Sequence, residues 1–372
     1  MKIAILAGET SGDNYASLLA ESIRKIAPKA FILGTGGKKM KSVSNFFVDM
    51  PCGKMGFSDV IRNIGLFYVA YKRVVEAIEK ERPSVVVFID NPGFNLKVAR
   101  AVGGRYSCIY YIPPKIWAHG YGRVETIRRY IKAVIPIFPF EEKLYRKEKI
   151  ECRWFGHPAG DLVEDACRNR EGRKVPLQPG ASVIGFLPGS REEEVRNLVP
   201  EFVKIAKQLA MERKLEFLIS ASDDKIKQLE ESLLAECGIN DISIKEDLYE
   251  VISGSSLVFA ASGTVNLEVA LMERPSIVFY KTSFLNYRLA RMLVKLKNVS
   301  PVNLMLEEKA VPEYIQFFPQ DKIREDVFNI LDKGDLYRKQ AEGFSLIREK
   351  MGTGHVSGKV AEMVIDYSER KR

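Results

Sequence analysis

Two short loops in the second half of the chain carry the residue types that hold a diphosphate. Ser262-Gly263-Thr264 follows the apolar run 257–261 and leads into Val265-Asn266-Leu267-Glu268. A strand that turns into a helix there leaves backbone N–H groups facing outward at a positive helix terminus, a seat for phosphate oxygens. Glu268 follows one helical turn later, within reach of a neutral polyol such as a ribose. The other loop, Leu187-Pro188-Gly189-Ser190-Arg191, adds a guanidinium whose fork matches phosphate geometry. Arg191 is either that clamp or a surface partner of the acidic turn Glu192-Glu193-Glu194, where an ion pair is worth little. Together the loops point to a nucleoside diphosphate site without the usual nucleotidase motif.

Two loops in the first half have chemistry of a different kind. Gly8-Glu9-Thr10-Ser11-Gly12-Asp13 follows the apolar run 3–7. Gly8 and Gly12 permit close backbone approach by a ligand. The spacing is not the dinucleotide fingerprint, and Glu9 would repel a pyrophosphate; the alternative is an ordinary turn with Asp13 capping a helix. Asp90 ends the buried run 85–89 and opens Asn91-Pro92-Gly93-Phe94-Asn95. It is either a base placed to take a proton from a substrate hydroxyl or an Asx-turn residue before a proline. No Asp-x-Asp motif appears, the 3 histidines are dispersed, and the 5 cysteines lack metal-ligand spacing, so no metal or cofactor is implied and the thiols read as reduced and cytosolic.

These loops need a scaffold that presents strand ends. Short apolar runs alternate with amphipathic stretches: strands at 3–7, 30–33, 84–89, 108–112 and 133–138, helices at 15–26, 64–80, 95–102, 123–132 and 140–146. That rhythm predicts a parallel, doubly wound α/β sheet. Residues 164–181 are charged and carry Pro176 and Pro179, and they read as a linker. The alternation restarts with strands at 183–187, 216–220, 242–244, 257–261 and 276–280, and helices at 199–213, 225–237, 248–252 and 266–272. The expected organisation is a domain over 1–170, a second over 182–335, and helices over 336–372, broken near Gly352-Thr353-Gly354, that pack back on the first domain or on a partner chain as in a homodimer. The two domains are expected to be Rossmann-like and to face each other across a cleft.

A length of 372 residues suits two such domains of roughly 150–200 residues. Hydrophobic residues are 46% and charged residues 28%, a globular balance, and no apolar run approaches the roughly 20 residues of a membrane span. The net charge of +9 favours anionic partners. Residues 279–298 contain Lys281, Arg288, Arg291, Lys295 and Lys297 interleaved with apolar side chains and no acid. Such a helix lies on an anionic membrane surface or packs on its own domain. A second basic stretch spans 123–153; no nucleic-acid module accompanies either, so nucleic acid is not an expected partner.

In order along the chain, the motifs resemble one family, the lipid-A-disaccharide synthases, inverting glycosyltransferases of lipopolysaccharide biosynthesis. The matching stretches are Ala7 to Asp13, Met55-Gly56-Phe57, Ile89 to Asn95, Ile112-Pro113-Pro114-Lys115-Ile116-Trp117-Ala118 and Pro139-Phe140-Glu141. They continue with Phe155-Gly156-His157-Pro158, Leu187 to Arg191, Ser262-Gly263-Thr264 with Leu267-Glu268, Val302-Asn303-Leu304, Val311-Pro312-Glu313 and Gln316. The resemblance implies the GT-B architecture and transfer of 2,3-diacylglucosamine from its UDP conjugate to 2,3-diacylglucosamine 1-phosphate, through a β-1,6 link, at the inner face of the inner membrane. It implies essential roles for Asp90 and Arg191, an active-site role for Asn303, and substrate contacts from Gly8, Glu9, Ser11, Gly12, Ser190, Ser262, Gly263, Thr264, Glu268 and Gln316. The chain departs from the family at Gly93, where a second acid is frequent, at His119, where an aromatic is common, and at Pro113-Pro114-Lys115, which replaces a Ser-Pro-Ser-like run.

Two rivals stand beside this reading. One is another GT-B-like enzyme, such as a UDP-sugar 2-epimerase, for which His119 and His157 are poorly placed catalytic histidines. The other is a peripheral lipid-binding protein with a vestigial nucleotide fold, against which Asp90, Arg191 and Glu268 argue together. UDP release only when both lipid substrates are present separates all three.

Overall fold

The computed structural model describes residues 1–8, 10–50, 64–117, 120–168, 182–239, 241–283, 298–351 and 354–370. The chain forms two compact units, Met1–Asp161 with Met351–Arg372, and Leu162–Lys350.

The first unit holds a parallel sheet of β1 (Lys2–Leu6), β2 (Phe31–Thr35), β3 (Phe46–Phe47), β4 (Val85–Ile89), β5 (Ser107–Tyr111) and β6 (Ala133–Ile135), in the order β3-β2-β1-β4-β5-β6. Every residue of β4 is buried, as expected of a central strand covered on both faces. The second unit repeats the design with β7 (Ser182–Leu187), β8 (Leu215–Ser220), β9 (Ile242–Lys245), β10 (Leu257–Ala261), β11 (Ser276–Tyr280) and β12 (Glu313–Ile315), in the order β12-β11-β10-β7-β8-β9. Its core is aromatic: Phe202 packs on Phe186, Phe259 and Phe279, with centroids 5.0–5.7 Å apart. Each such pair contributes about 0.5–1.5 kcal/mol beyond area burial.

Several boundaries differ from the sequence expectation. The first helix begins at Thr10, not at 15, and Asp13 lies inside its first turn with its side chain bonded to Gly37 N. The helix expected over 199–213 starts at Glu192 and carries Pro200 inside it. Val195, Leu198, Val199 and Phe202 are buried at helical spacing across the proline, and that burial offsets its missing N–H. Of the linker expected over 164–181, residues 164–168 belong to the helix Ala159–Arg168, and 169–181 lie outside the described residues. The helices Lys38–Val43, Pro301–Leu306 and Gln320–Leu331 and the short strands β3 and β12 were not anticipated.

The C-terminal helices divide between the units. Asp335–Lys350 stays with the second, where the Gln340 side chain pairs with both backbone groups of Ser276. Val356–Glu369 returns to the first and packs along Thr10–Ile26. Its entry is built by the Phe155-Gly156-His157-Pro158 motif. Gly156 has φ +124°, and a Cβ there would lie 2.6 Å from the Met351 carbonyl. The His157 N–H donates to that carbonyl at 3.1 Å, and the Asp161 carboxylate accepts from the first amides of the returning helix, Val356 at 3.0 Å and Ser357 at 2.6 Å.

Candidate functional site

In the first unit the winding reverses between β1 and β4, which lie side by side with Leu6 opposite Phe88. The crevice outside the strand ends at such a reversal is where open parallel sheets receive ligands. Gly8 leaves β1 there and Asp90 leaves β4. A Cβ on Gly8 would meet Asn91 Nδ2, so the Asn91 side chain sits here in the space that the glycine leaves. Asp90 and Asn91 are both left-handed, with φ +48° and +43°. That conformation costs an ordinary L-residue roughly 1–2 kcal/mol and Asp or Asn less, and such strain collects at functional sites. Ile112, at the end of β5, is left-handed as well, with φ +58°. Ser11 and Gly12 sit in the first turn of Thr10–Ile26, while Glu9 lies outside the described residues. Asp13 accepts from Gly37 N at 2.7 Å, Lys39 N at 3.1 Å and Met40 N at 2.9 Å, so it caps Lys38–Val43 and not its own helix.

The second unit repeats the arrangement. Its winding reverses between β7 and β10, with Leu187 opposite Ala260. The loops leaving these strands are the two diphosphate candidates, Pro188 to Arg191 and Ser262-Gly263-Thr264. Ser262 Oγ donates to the Val299 carbonyl at 2.9 Å, and Asn266 Nδ2 donates to the Ala261 and Gly263 carbonyls at 2.9 and 2.8 Å. These bonds fix the turn ahead of the helix Val265–Leu271. Glu268 is 6% exposed, and its Oε2 accepts from the Tyr249 hydroxyl at 2.7 Å.

The β7 loop contains a residue that sequence reasoning passed over. Glu194 folds back onto Gly189, which has φ +111° and where a Cβ would lie 2.3 Å from Glu194 Oε2. The Glu194 carboxylate accepts from the backbone of Arg191 and Ser190, closing the start of Glu192–Ala210 as a capping box does. Burial raises its pKa, and the Arg191 guanidinium, 3.4 Å away, opposes the rise. Those loop amides are therefore engaged by a carboxylate, and the group this loop offers a ligand is the exposed Arg191 side chain. The signal was present in the spacing: an acid three residues beyond the helix-capping position.

Asn303 and Gln316 are turned inward. Asn303 is 0% exposed. Its Nδ2 donates to the Val311 carbonyl at 2.8 Å and to Glu313 Oε1 at 2.7 Å, and its Oδ1 accepts from Ala310 N and Val311 N, both at 2.9 Å. Two donors and two lone pairs are all an amide has. Glu313 in turn accepts from Val299 N and Ser300 N, at 3.0 and 2.9 Å. Asn303 thus holds 310–313 against the segment that Ser262 also grips. Gln316 pairs its amide with both backbone groups of Thr282, at 3.2 and 2.9 Å, extending the β11–β12 ladder.

Other motif residues meet each other. Trp117 Nε1 donates to Glu141 Oε1 at 2.8 Å, and Trp117 packs edge-on to Phe140. Glu141 is 1% exposed, and burial raises its pKa against the help of that bond. Burial, with Lys115 nearby, holds the His157 imidazole down at about 3. A histidine so placed stays neutral and is a poor proton acceptor, which weighs against the epimerase-type reading. Nothing stands within 4 Å of a Cβ at Gly93, so the missing acid there reflects no lack of room. His119 and Met55-Gly56-Phe57 lie outside the described residues. Among those residues no group of three acids, histidines or cysteines is arranged to hold a metal ion, and no helix is long and apolar enough to cross a membrane.

Comparison with known proteins bears on the fold and the family. Two solved UDP-GlcNAc 2-epimerases superpose over nearly the whole chain. That of Neisseria meningitidis, bound to UDP-GlcNAc, has a TM-score of 0.60 at 11% identity and 99% coverage of both chains. That of Methanocaldococcus jannaschii has 0.62 at 14%, covering 98% of this chain and 100% of its own. A glycosyltransferase from Rickettsia africae gives 0.52 at 13%, covering 99% and 98%. At such identities the likeness is one of fold, the GT-B fold. A family model described as lipid-A-disaccharide synthetase matches residues 3–359. The lipid-A-disaccharide synthase of Geobacter sulfurreducens is 32% identical over 374 residues, covering 98% of this chain and 97% of its own. That of Koribacter versatilis is 30% identical over 384 residues, covering 100% of both. With the motif loops gathered at both switch points and relatives of matching length throughout, the chain belongs to the lipid-A-disaccharide synthetase family of glycosyltransferases.

Proposed function

We propose that the chain joins UDP-2,3-diacylglucosamine to 2,3-diacylglucosamine 1-phosphate with inversion, with Asp90 as the base. The acceptor's 6-hydroxyl oxygen attacks the anomeric carbon and forms the β-1,6 bond. The bond from that carbon to the diphosphate breaks, and UDP leaves with the electron pair. The hydroxyl proton passes to the Asp90 carboxylate. Arg191 and the turn Ser262-Gly263-Thr264 stabilise the charge on the departing diphosphate, and Glu268 holds the ribose. The observation that carries this reading is that Asp90 and the diphosphate loops each leave a strand at the reversal point of their own sheet. Asp90→Asn tests it: the variant keeps the side chain's size, and turnover should fall roughly 10²–10⁴-fold with UDP affinity intact. Near-wild-type turnover removes Asp90 from the mechanism.

Both substrates carry acyl chains, so we place the enzyme against an anionic membrane surface. Of the basic stretch 279–298, Phe279 and Tyr280 belong to β11 and not to a helix, Lys281 pairs with Glu201 at 2.5 Å, and 284–297 lie outside the described residues. Among those described, the helix Ile64–Glu81 exposes Leu66 and Tyr68 at 58% and Val69 at 46%, and Lys72 sits 4.8 Å over the Tyr68 ring. Apolar side chains beside cations suit an interfacial surface.

A further inference from the structure

The left-handed turn at Asp90 is gripped from the interior at the Asp90 carbonyl, beside the backbone bond from the Asp90 amide to the Tyr111 carbonyl at 3.3 Å. The Asp90 carbonyl accepts from Asn95 Nδ2 at 2.7 Å and from the Tyr110 hydroxyl at 2.8 Å. Both donors are interior groups: Asn95 is 1% exposed and Tyr110 0%. They arrive from different elements, Asn95 from the helix Pro92–Val102 and Tyr110 from β5, where it stands opposite Phe88. Asn95 Nδ2 also lies 3.1 Å from the Ile89 carbonyl and 3.4 Å from the Leu6 carbonyl, so one amide group ties the ends of β1 and β4 together. Burial lifts the Tyr110 phenol well above its ordinary pKa, keeping it a donor at every pH of interest.

A strand carbonyl ordinarily needs one backbone partner. Two buried side-chain donors on the carbonyl between two left-handed residues, Asp90 and Asn91, make a clamp on the turn. The third wall is Gly8, whose missing Cβ leaves Asn91 its place. Without the clamp the backbone relaxes toward extended φ, where L-residues are at ease, and the Asp90 side chain leaves with it. Strain of this kind persists only where its surroundings over-determine it.

We propose that Tyr110 and Asn95 are positioning residues for the transfer reaction, acting through Asp90 by locking its carbonyl and hence the direction of its carboxylate. The proposal rests on the reading of Asp90 as the base. Tyr110→Phe removes one oxygen and leaves the packing against Phe88, 5.9 Å between centroids, in place. Turnover should drop roughly ten- to a hundredfold, the scale set by misplacing a catalytic group by about an ångström. KM for the UDP-sugar and UDP affinity should stay within about twofold, because those contacts are assigned to the other unit. Asn95→Leu should lose more, since it also unties Leu6 and Ile89; if it does not fold, the Tyr110 arm stands alone.

The deciding measurement is the cycle of Tyr110→Phe, Asp90→Asn and the double variant. If Tyr110 acts through Asp90, Tyr110→Phe costs nothing further once the carboxylate is gone. Equal losses in both backgrounds overturn the clamp while leaving Asp90 as base. An unchanged turnover for Tyr110→Phe overturns it too. Full activity of Asp90→Asn alone is the distinct result that removes the base, and the clamp's purpose with it.

Discussion

Replacing Asn303 with alanine separates a structural rivet from a substrate contact. The amide makes four hydrogen bonds in a site that is 0% exposed, one of them to the Glu313 carboxylate. A neutral hydrogen bond contributes about 0.5–1.5 kcal/mol net and one to a charged group about 1.5–3, while an orphaned buried partner costs about 1–3. The four share one side chain and do not add, so a loss of about 3–5 kcal/mol is expected. For a unit the size of Leu162–Lys350, each kcal/mol moves the melting temperature by about 2–4 °C, which places the shift at roughly 6–20 °C. Differential scanning calorimetry on wild type and Asn303→Ala, run beside steady-state kinetics, reads both quantities. The expected outcome is a lowered transition with activity lost in proportion to loop order. Asn303→Asp should be no better, since it sets a second carboxylate against Glu313 and loses the donor to Val311. A variant that melts like wild type yet has no turnover would falsify the rivet and return Asn303 to direct contact with substrate.

Arg191→Ala should weaken UDP binding and cripple transfer, and Arg191→Lys should rescue little because the planar fork is gone; calorimetric UDP affinity and rates equal to wild type would make Arg191 a surface residue. Glu230, on the helix Asp224–Glu236, is 0% exposed with neither oxygen hydrogen-bonded among the described residues, and burial lifts its pKa to about 8. The folded chain therefore keeps a proton that the unfolded chain releases above its ordinary value of about 4.3, so stability is greatest below that pH and declines until the folded carboxyl also ionises. Unfolding free energies from urea titrations between pH 5 and 9 should fall by roughly 2–4 kcal/mol in wild type, and Glu230→Gln should flatten that decline; parallel curves would rule out the burial argument. Replacing Arg288, Arg291 and Lys295 with Glu should lower sedimentation with anionic liposomes by removing about 1 kcal/mol of attraction per cation; pelleting equal to wild type would move attachment to the exposed face of Ile64–Glu81.

Strand boundaries were legible where turn chemistry enclosed them. β10 and β11 lie at the expected 257–261 and 276–280, fenced by Ser-Gly-Thr on one side and Arg274-Pro275 on the other. β3 and β12 were not, since two or three residues cannot display an alternation. The loops of the candidate site could be picked out because glycine, proline and charge announce them. Their hydrogen-bonding duties could not. Asn303 reads as a polar residue fit for a ligand, yet the chain folds back seven and eight residues later to consume its amide. Glu194 reads as one of three acids on a helix dipole, yet it reaches back to the Ser190 and Arg191 backbone. Asn95 stood in an apolar neighbourhood, Phe94 and Leu96, and a polar group at a buried helical position is the mark by which its role was open to discovery.

The return of the chain at Met351 has a consequence for synthesis. The first unit contains Met1–Asp161 but is finished by Val356–Glu369, which the ribosome delivers only after the whole of Leu162–Lys350. Chains emerge at roughly 5–20 residues per second, so the surface of Thr10–Ile26 awaiting its partner stays bare for on the order of ten seconds or more. The second unit, continuous in sequence, has no such wait. The order of maturation is thus inverted with respect to the order of translation: the domain begun first closes last, and its seal is a helix whose amides dock on Asp161.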